Sequence, residues 1–162
     1  CIRDRAIAVQ AMAQLDQIEY EVARKAAPQP GAGHVVRELR SRNCKVGVFS
    51  RNSTRSVRET LKQCGLEKLF QANHILARES CEPKPDPKGI HLLLSRWQGR
   101  VRQAVMVGDY LYDMQAGREA GVVTVGFNGD GHFRWKDYAD YCVTDLTAIL
   151  TLPIVPPKRA GT

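Results

Sequence analysis

None of the five cysteines, Cys1, Cys44, Cys64, Cys81 and Cys142, stands in a Cys-x-x-Cys pair. Zinc and a disulfide framework are therefore both poor readings, and a reducing compartment, the cytoplasm by default, is the expectation. His34, His74, His91 and His132 share no metal-ligand spacing either. No apolar run approaches the roughly 20 residues that a bilayer requires, so no membrane partner is expected. The opening "CIRDRAIAVQ" has no long apolar middle, which argues against a secretory signal. No internal repeat, zinc-finger spacing or RNA-binding aromatic signature is present.

What remains is an ordinary globular composition. The 162 residues leave room for one domain with a core, or a core plus a small appendage. With 43% hydrophobic and 25% charged residues the chain falls outside the disordered and fibrous classes. A net charge of +7 favours anionic partners such as phosphorylated metabolites or nucleic acid. Arg37, Arg40, Arg55, Arg58 and Lys62 are interleaved with Glu38 and Glu59, however, as on solvated helices. Nucleic acid is disfavoured on that ground, and nothing in the sequence sets an oligomeric state. Because the first residue is Cys rather than Met, the expectation is a peptide that begins inside a longer reading frame or has been processed. "CIRDR" is treated as uninformative.

Helical and extended patterns alternate along the chain. In "AIAVQAMAQLDQIEYEVARKAA" at 6–27, Ile7, Met12, Leu15, Ile18 and Val22 recur mostly at spacings of three and four, predicting a helix with one apolar face. "PQPG" at 28–31 stops it. A helix at about 32–42 leads to "KVGVFS" at 45–50, predicted to be a buried strand. "RNST" then opens a helix that stops at Gly65. "HILA" at 74–77 is a weaker strand, and "DPKGIHLLLSRW" is helical from about 86. "QAVMVGD" is a strand, "YLYDMQAGREAG" a helix, "VVTVGF" a strand and "YCVTD" a last short strand. This alternation predicts a doubly wound α/β fold with a parallel sheet, whose ligands sit at the carboxyl ends of the strands.

Three polar clusters fall at that edge. Ser50-Arg51-Asn52 follows the "KVGVF" strand and precedes a helix, where a hydroxyl and backbone N–H groups suit a phosphate oxygen. The plainer reading is an N-cap supplied by Asn52 or Ser53. Lys84 lies in "EPKPDP", where flanking prolines keep the backbone extended and can aim one ammonium inward. Most surface lysines do nothing so specific. In "VMVGDYLYD", Gly108 permits a sharp exit from the strand, and Asp109 and Asp113 lie about one helical turn apart. Hard oxygens so placed suit magnesium. Alternatively, Asp109 caps the helix and Asp113 complements its dipole. Each cluster alone is weak; three in this order at one sheet edge are strong.

With these residues in place the chain resembles the haloacid dehalogenase-like hydrolase superfamily, particularly its phosphoglycolate-phosphatase-like branch. "VFSRNS", "KPDP" and "VGDYLYDMQAG" are similar to its second, third and fourth motifs, and the resemblance covers roughly residues 28–130. It implies a magnesium-dependent phosphatase that hydrolyses a small phosphorylated metabolite through an aspartyl-phosphate. Ser50 would hydrogen-bond the phosphoryl group, helped by the N–H groups of Arg51 and Asn52. Lys84 would neutralise the phosphate and the attacking carboxylate, and Asp109 would ligate magnesium with Asp113 assisting. Such roles are charge compensation and positioning, which carry most of phosphoryl transfer.

The resemblance also implies an Asp-x-Asp motif carrying the nucleophile and the general acid/base, and none occurs in these residues. Residues 1–27 are accordingly expected to be the remnant of a helical cap, 28–150 an incomplete core and 151–162 a flexible tail. The strand bearing the first motif would lie between the "KVGVF" and "AVMVG" strands, and without it two strand edges would go unpaired. Alternatives within the same fold are a phosphomutase or a metal-free dehalogenase. Outside it stand a non-catalytic pseudo-phosphatase and a basic nucleic-acid binder.

Overall fold

The computed structural model describes residues 2–158. Its elements run α1 (Ile2–Ala23), α2 (Ala32–Ser41), β1 (Val48–Phe49), α3 (Thr54–Gln63), β2 (Ile75–Leu76), α4 (Lys88–Trp97), β3 (Val105–Gly108), α5 (Leu111–Glu119), β4 (Val123–Phe127) and β5 (Tyr141–Val143). A 3-10 helix at Leu146–Thr151 follows. Local chemistry explains the boundaries. Ser53, in extended backbone, accepts from the N–H of Ser56 and so caps α3. Gly65, with φ of +66°, takes the left-handed conformation just past the end of that helix, as its sequence position predicts.

Every strand pair is parallel, as the alternation requires, but the sheet comes in two parts. β1 pairs with β2 (Val48 opposite Ile75), and β3 pairs with β4, which pairs with β5. Among the described residues no strand hydrogen-bonds to the outer edge of β1 or of β3. The stretch predicted as a buried strand at 45–50 is correspondingly only two residues long and half-buried. A ladder on one side supports half the backbone groups that a central strand would pair. β3 shows the same deficit: Val105 and Val107 are 36% and 39% exposed, although Val125, opposite Val107, is fully buried.

Helices hold the two sheets together. Phe49 from β1 and Met106 from β3 both pack on a cluster of Ile90, Leu94, Ala116, Ala120 and Val122 contributed by α4, α5 and the turn after it. Gly89 makes the contact possible, because a Cβ there would lie 2.5 Å from the Phe49 ring. One residue earlier, Val48 packs on Val57, Leu61 and Ala77 instead, as a two-residue strand period demands. A third cluster joins Val125, Val143 and Ile149. Leu152, Ile154 and Val155 pack against it, and Nη1 of Arg42 donates to the carbonyls of Leu150 (3.0 Å) and Pro156 (3.1 Å). The segment expected to be a flexible tail from residue 151 is thus docked as far as Pro156. Its apolar residues, three among prolines, supply the reason.

α1 is helical, as its periodicity predicts. Its apolar stripe of Ile7, Met12, Leu15, Ile18 and Val22 is exposed along its whole length. The stripe that meets the core is Asp16, Glu19, Tyr20 and Ala23, also spaced three and four apart. Arg78 ion-pairs with Asp16 and with Glu19 (2.8 Å), Glu19 accepts from the N–H of Ser53 (2.9 Å), and the Arg55 guanidinium lies 3.6 Å over the Tyr20 ring.

His74 is buried against Trp97, ring edge to face at 5.5 Å. Burial, reinforced by the charges of Lys45 and Arg96, pushes its pKa below the ordinary value, although a hydrogen bond with the Val46 backbone opposes this. A pKa lower in the folded than in the unfolded chain means that the unfolded chain binds the proton first. The stability tied to neutral His74 is present above about pH 6.5 and is lost as pH falls through the folded value. Urea denaturation followed from pH 7.5 to 5 should show falling stability, and His74→Phe should flatten that fall.

Candidate active site

The loop between β2 and α4 turns Lys84 inward. Its Nζ donates to the carbonyl of Phe49 (2.8 Å), the last residue of β1, and to Oδ1 of Asp113 (2.6 Å) in the first turn of α5. The two charged side chains are 12% and 7% exposed. Lys84 therefore ties the carboxyl end of one sheet to the helix that leaves the other. Two of its ammonium hydrogens are spent on these partners and a third is left over.

Asp113 spends both oxygens. Oδ2 accepts from the N–H of Tyr110 (3.0 Å), satisfying an N–H at the start of α5 that the helix cannot. The helix-start role and a role at the site thus coexist in one carboxylate. Gly108 is needed for a reason its sequence position did not show. Its φ is not positive, but a Cβ there would overlap the Asp113 carboxyl group.

Ser50 extends the β1 ladder, its N–H donating to the Leu76 carbonyl (2.9 Å). Its Oγ accepts from the N–H of Asn52 (3.1 Å), which leaves the hydroxyl proton available to an acceptor in the crevice. The Asn52 N–H, expected to face phosphate, here donates to Ser50. Asn52 does not cap α3, a role Ser53 takes, and its carbonyl accepts from the N–H of Arg78 (2.9 Å). The Arg51 N–H has no partner among the described residues. Its exposed guanidinium lies 4.9 Å over the ring of Tyr112, which in turn meets Tyr110 edge to face at 5.2 Å. Neither tyrosine was singled out in the sequence, although both flank the acids in "GDYLYD".

Asp109 stands exposed just past β3, with no hydrogen bond or ion pair among the described residues. The two acids expected to share a cation are therefore in different states: Asp109 has free oxygens, and Asp113 is committed to Lys84 and Tyr110. No group of three or more His, Cys, Asp or Glu residues among the described ones could enclose a metal ion. Such a donor set fits magnesium held by one carboxylate, which leaves most positions to water and substrate oxygens.

This arrangement belongs to a known class. The family model described as haloacid dehalogenase-like hydrolase matches residues 5–127. The chain is 29% identical to an uncharacterized hydrolase of Saccharomyces cerevisiae over 143 residues, 86% of this chain and 66% of that protein. It is 34% identical to the pyrophosphatase PpaX of Listeria monocytogenes over 96 residues, covering 59% of this chain and 44% of that one. The crystal structure of an HAD phosphatase from Thermococcus onnurineus superposes with a TM-score of 0.69 at 27% identity, over 76% of this chain and 56% of the other. The chain belongs to the haloacid dehalogenase-like hydrolase family, and it spans two thirds or less of the length of these relatives.

Removing one partner of a buried ion pair costs more than the pair contributes, because the other charge stays buried alone. Asp113→Asn should lower stability by about 3 kcal/mol in urea denaturation. Gly108→Ala should produce a loss in the same direction by forcing that carboxyl group aside.

Proposed function

We propose that these residues form the phosphate-binding and charge-neutralising part of a magnesium-dependent phosphoric monoester hydrolase acting on a small phosphorylated metabolite. The observation that carries this reading is Lys84: a nearly buried ammonium, anchored by a carbonyl and a carboxylate, with one hydrogen left over. An ion pair that served stability alone could be replaced by apolar residues at no loss. A fixed cation with an unspent donor instead suits an anionic oxygen.

The other residues divide the work around it. The Ser50 hydroxyl donates to a phosphoryl oxygen while Asn52 holds its oxygen in place. The free N–H of Arg51 adds a second donor at the same loop. Asp113 holds the Lys84 ammonium in its direction. Asp109 would hold magnesium, which supplies further neutralisation of phosphate charge when bound. The names of a pyrophosphatase and an HAD phosphatase among the relatives support phosphoryl chemistry. Attack on phosphorus by an aspartate, as the resemblance implies, needs a carboxylate that neither Asp109 nor Asp113 supplies. Asp113 is committed, and Asp109 is the magnesium ligand. These 162 residues on their own should therefore bind phosphate without turning over an ester.

Two measurements check this. Calorimetric titration of the purified chain with orthophosphate in magnesium buffer should show binding that Ser50→Ala weakens. A generic aryl phosphate should release no phosphate under the same conditions. Hydrolysis that Asp109→Asn abolished would show that the chain carries its own nucleophile.

A further inference from the structure

One face of α1 is left uncovered by the described residues. Ile7, Met12, Leu15, Ile18 and Val22 are between 42% and 67% exposed, and Ala8 and Ala11 are exposed beside them. Ala8, Ala11, Leu15, Ile18 and Val22 follow one another at alternate spacings of three and four, the seam by which one helix packs along another. α1 meets the core through a different face, that of Asp16, Glu19, Tyr20 and Ala23, so the seam stays open while the clasp to Arg78 is closed. Each of the five large side chains leaves about 100 Å² bare, and with the two alanines the seam offers on the order of 600 Å² per copy. That is the upper end of what monomers expose, and it approaches the roughly 800 Å² per partner of a stable interface.

We infer that α1 pairs antiparallel with α1 of a second copy of this chain, forming a two-fold dimer. The seam itself sets the direction. Its first two members are small and its last three are large, so a parallel pair would leave a gap at the alanine end and crowd the other. In the antiparallel pair, Ala8 meets Ile18 of the second copy and Ala11 meets Leu15, and the two-fold axis repeats both contacts. Every layer then holds one small and one large side chain. The same register sets Arg5 opposite Glu21 at both ends of the seam, whereas a parallel pair would set Arg5 against Arg5. The apolar stem of Arg5 then covers Val22. A lipid surface is a poorer match, because the only charges on α1 between Arg5 and Arg24 are acids, with no base to meet anionic headgroups.

The test is sedimentation equilibrium of the full chain over protein concentrations from about 1 to 100 µM. Wild type should pass from one chain to two across that range. Ile18→Glu, at an exposed position, should weaken the dimer by about a hundredfold while circular dichroism stays that of wild type, since two of the four layers would bury a charge. Leu15→Gln, which adds no charge, should weaken it in the same direction but less. Arg5→Glu and Glu21→Arg should each weaken it by about tenfold, because the repulsion counts twice by symmetry. Combining the two should restore wild-type association. A wild type that remains one chain at the highest concentration, or association that Ile18→Glu and Leu15→Gln leave intact, would overturn the inference. So would masses beyond two chains, because a self-complementary seam closes on itself. A double charge variant no better than either single one would overturn the antiparallel register. A chain that stays single but sediments with phosphatidylglycerol vesicles would show lipid on the seam instead of a second copy.

Discussion

A single buried contact, Lys84 to Asp113, sets the geometry of everything at the carboxyl edge of this fold. The Lys84 ammonium reaches the carbonyl of Phe49 on one sheet and the first turn of α5 on the other. Neither sheet hydrogen-bonds to its counterpart through a strand among the described residues. Relative placement of Ser50 and Asp109 therefore depends on this side chain and on the apolar cluster beneath it. A charged tie is a demanding choice, since desolvating two ions costs several kcal/mol each before their attraction is counted. It is tolerated because each ion has a further partner: the Phe49 carbonyl for Lys84, the Tyr110 N–H for Asp113.

Below the edge, the division of labour is between strands that align and helices that hold. β1 and β3 fix the directions in which Ser50 and Asp109 leave the sheets, but their outer edges have no ladder. Phe49 and Met106 meet on the α4–α5 cluster, so apolar burial replaces a missing set of backbone bonds. α1 is attached by a different principle. Its contact with the core is an ionic clasp centred on Arg78, with an apolar stripe left facing solvent. Since the Arg78 N–H also holds the Asn52 carbonyl, the clasp and the Ser50 loop share a residue.

Much of this was legible in the sequence because it rests on local signals. The order of elements followed from apolar periodicity, and the caps and stops at Ser53 and Gly65 followed from backbone preferences. The three clusters were found because strand ends in α/β folds collect polar residues. What escaped was tertiary. Periodicity marked one apolar stripe on α1, whereas the core contact is made by the mixed stripe of Asp16, Glu19, Tyr20 and Ala23, which no apolar pattern reveals. Nothing local distinguishes Asp109 from Asp113, but burial gives one to a lysine and leaves the other open. The need for Gly108 lay in the space taken by a side chain five residues on, which no dihedral argument reveals. The Tyr112 stack on Arg51 joins residues 61 positions apart and had no signature in either stretch.

The site's charge balance argues for how its parts work together on the proposed reading. Lys84 and Arg51 bring two positive charges to the crevice, and Asp109 and Asp113 bring two negative ones. These four cancel, so the chain's overall positive charge is not concentrated here and cannot by itself account for anion binding. A phosphate monoester adds up to two negative charges. Lys84 is already paired with Asp113, and lone lysine and arginine charges near a surface are weakened by water and salt. A divalent cation at Asp109 restores neutrality with one ligand, and its affinity then depends on the phosphate that arrives with it. Cation and phosphate should accordingly bind to this crevice together more strongly than either does alone, a coupling that follows from charge balance rather than from any conformational change.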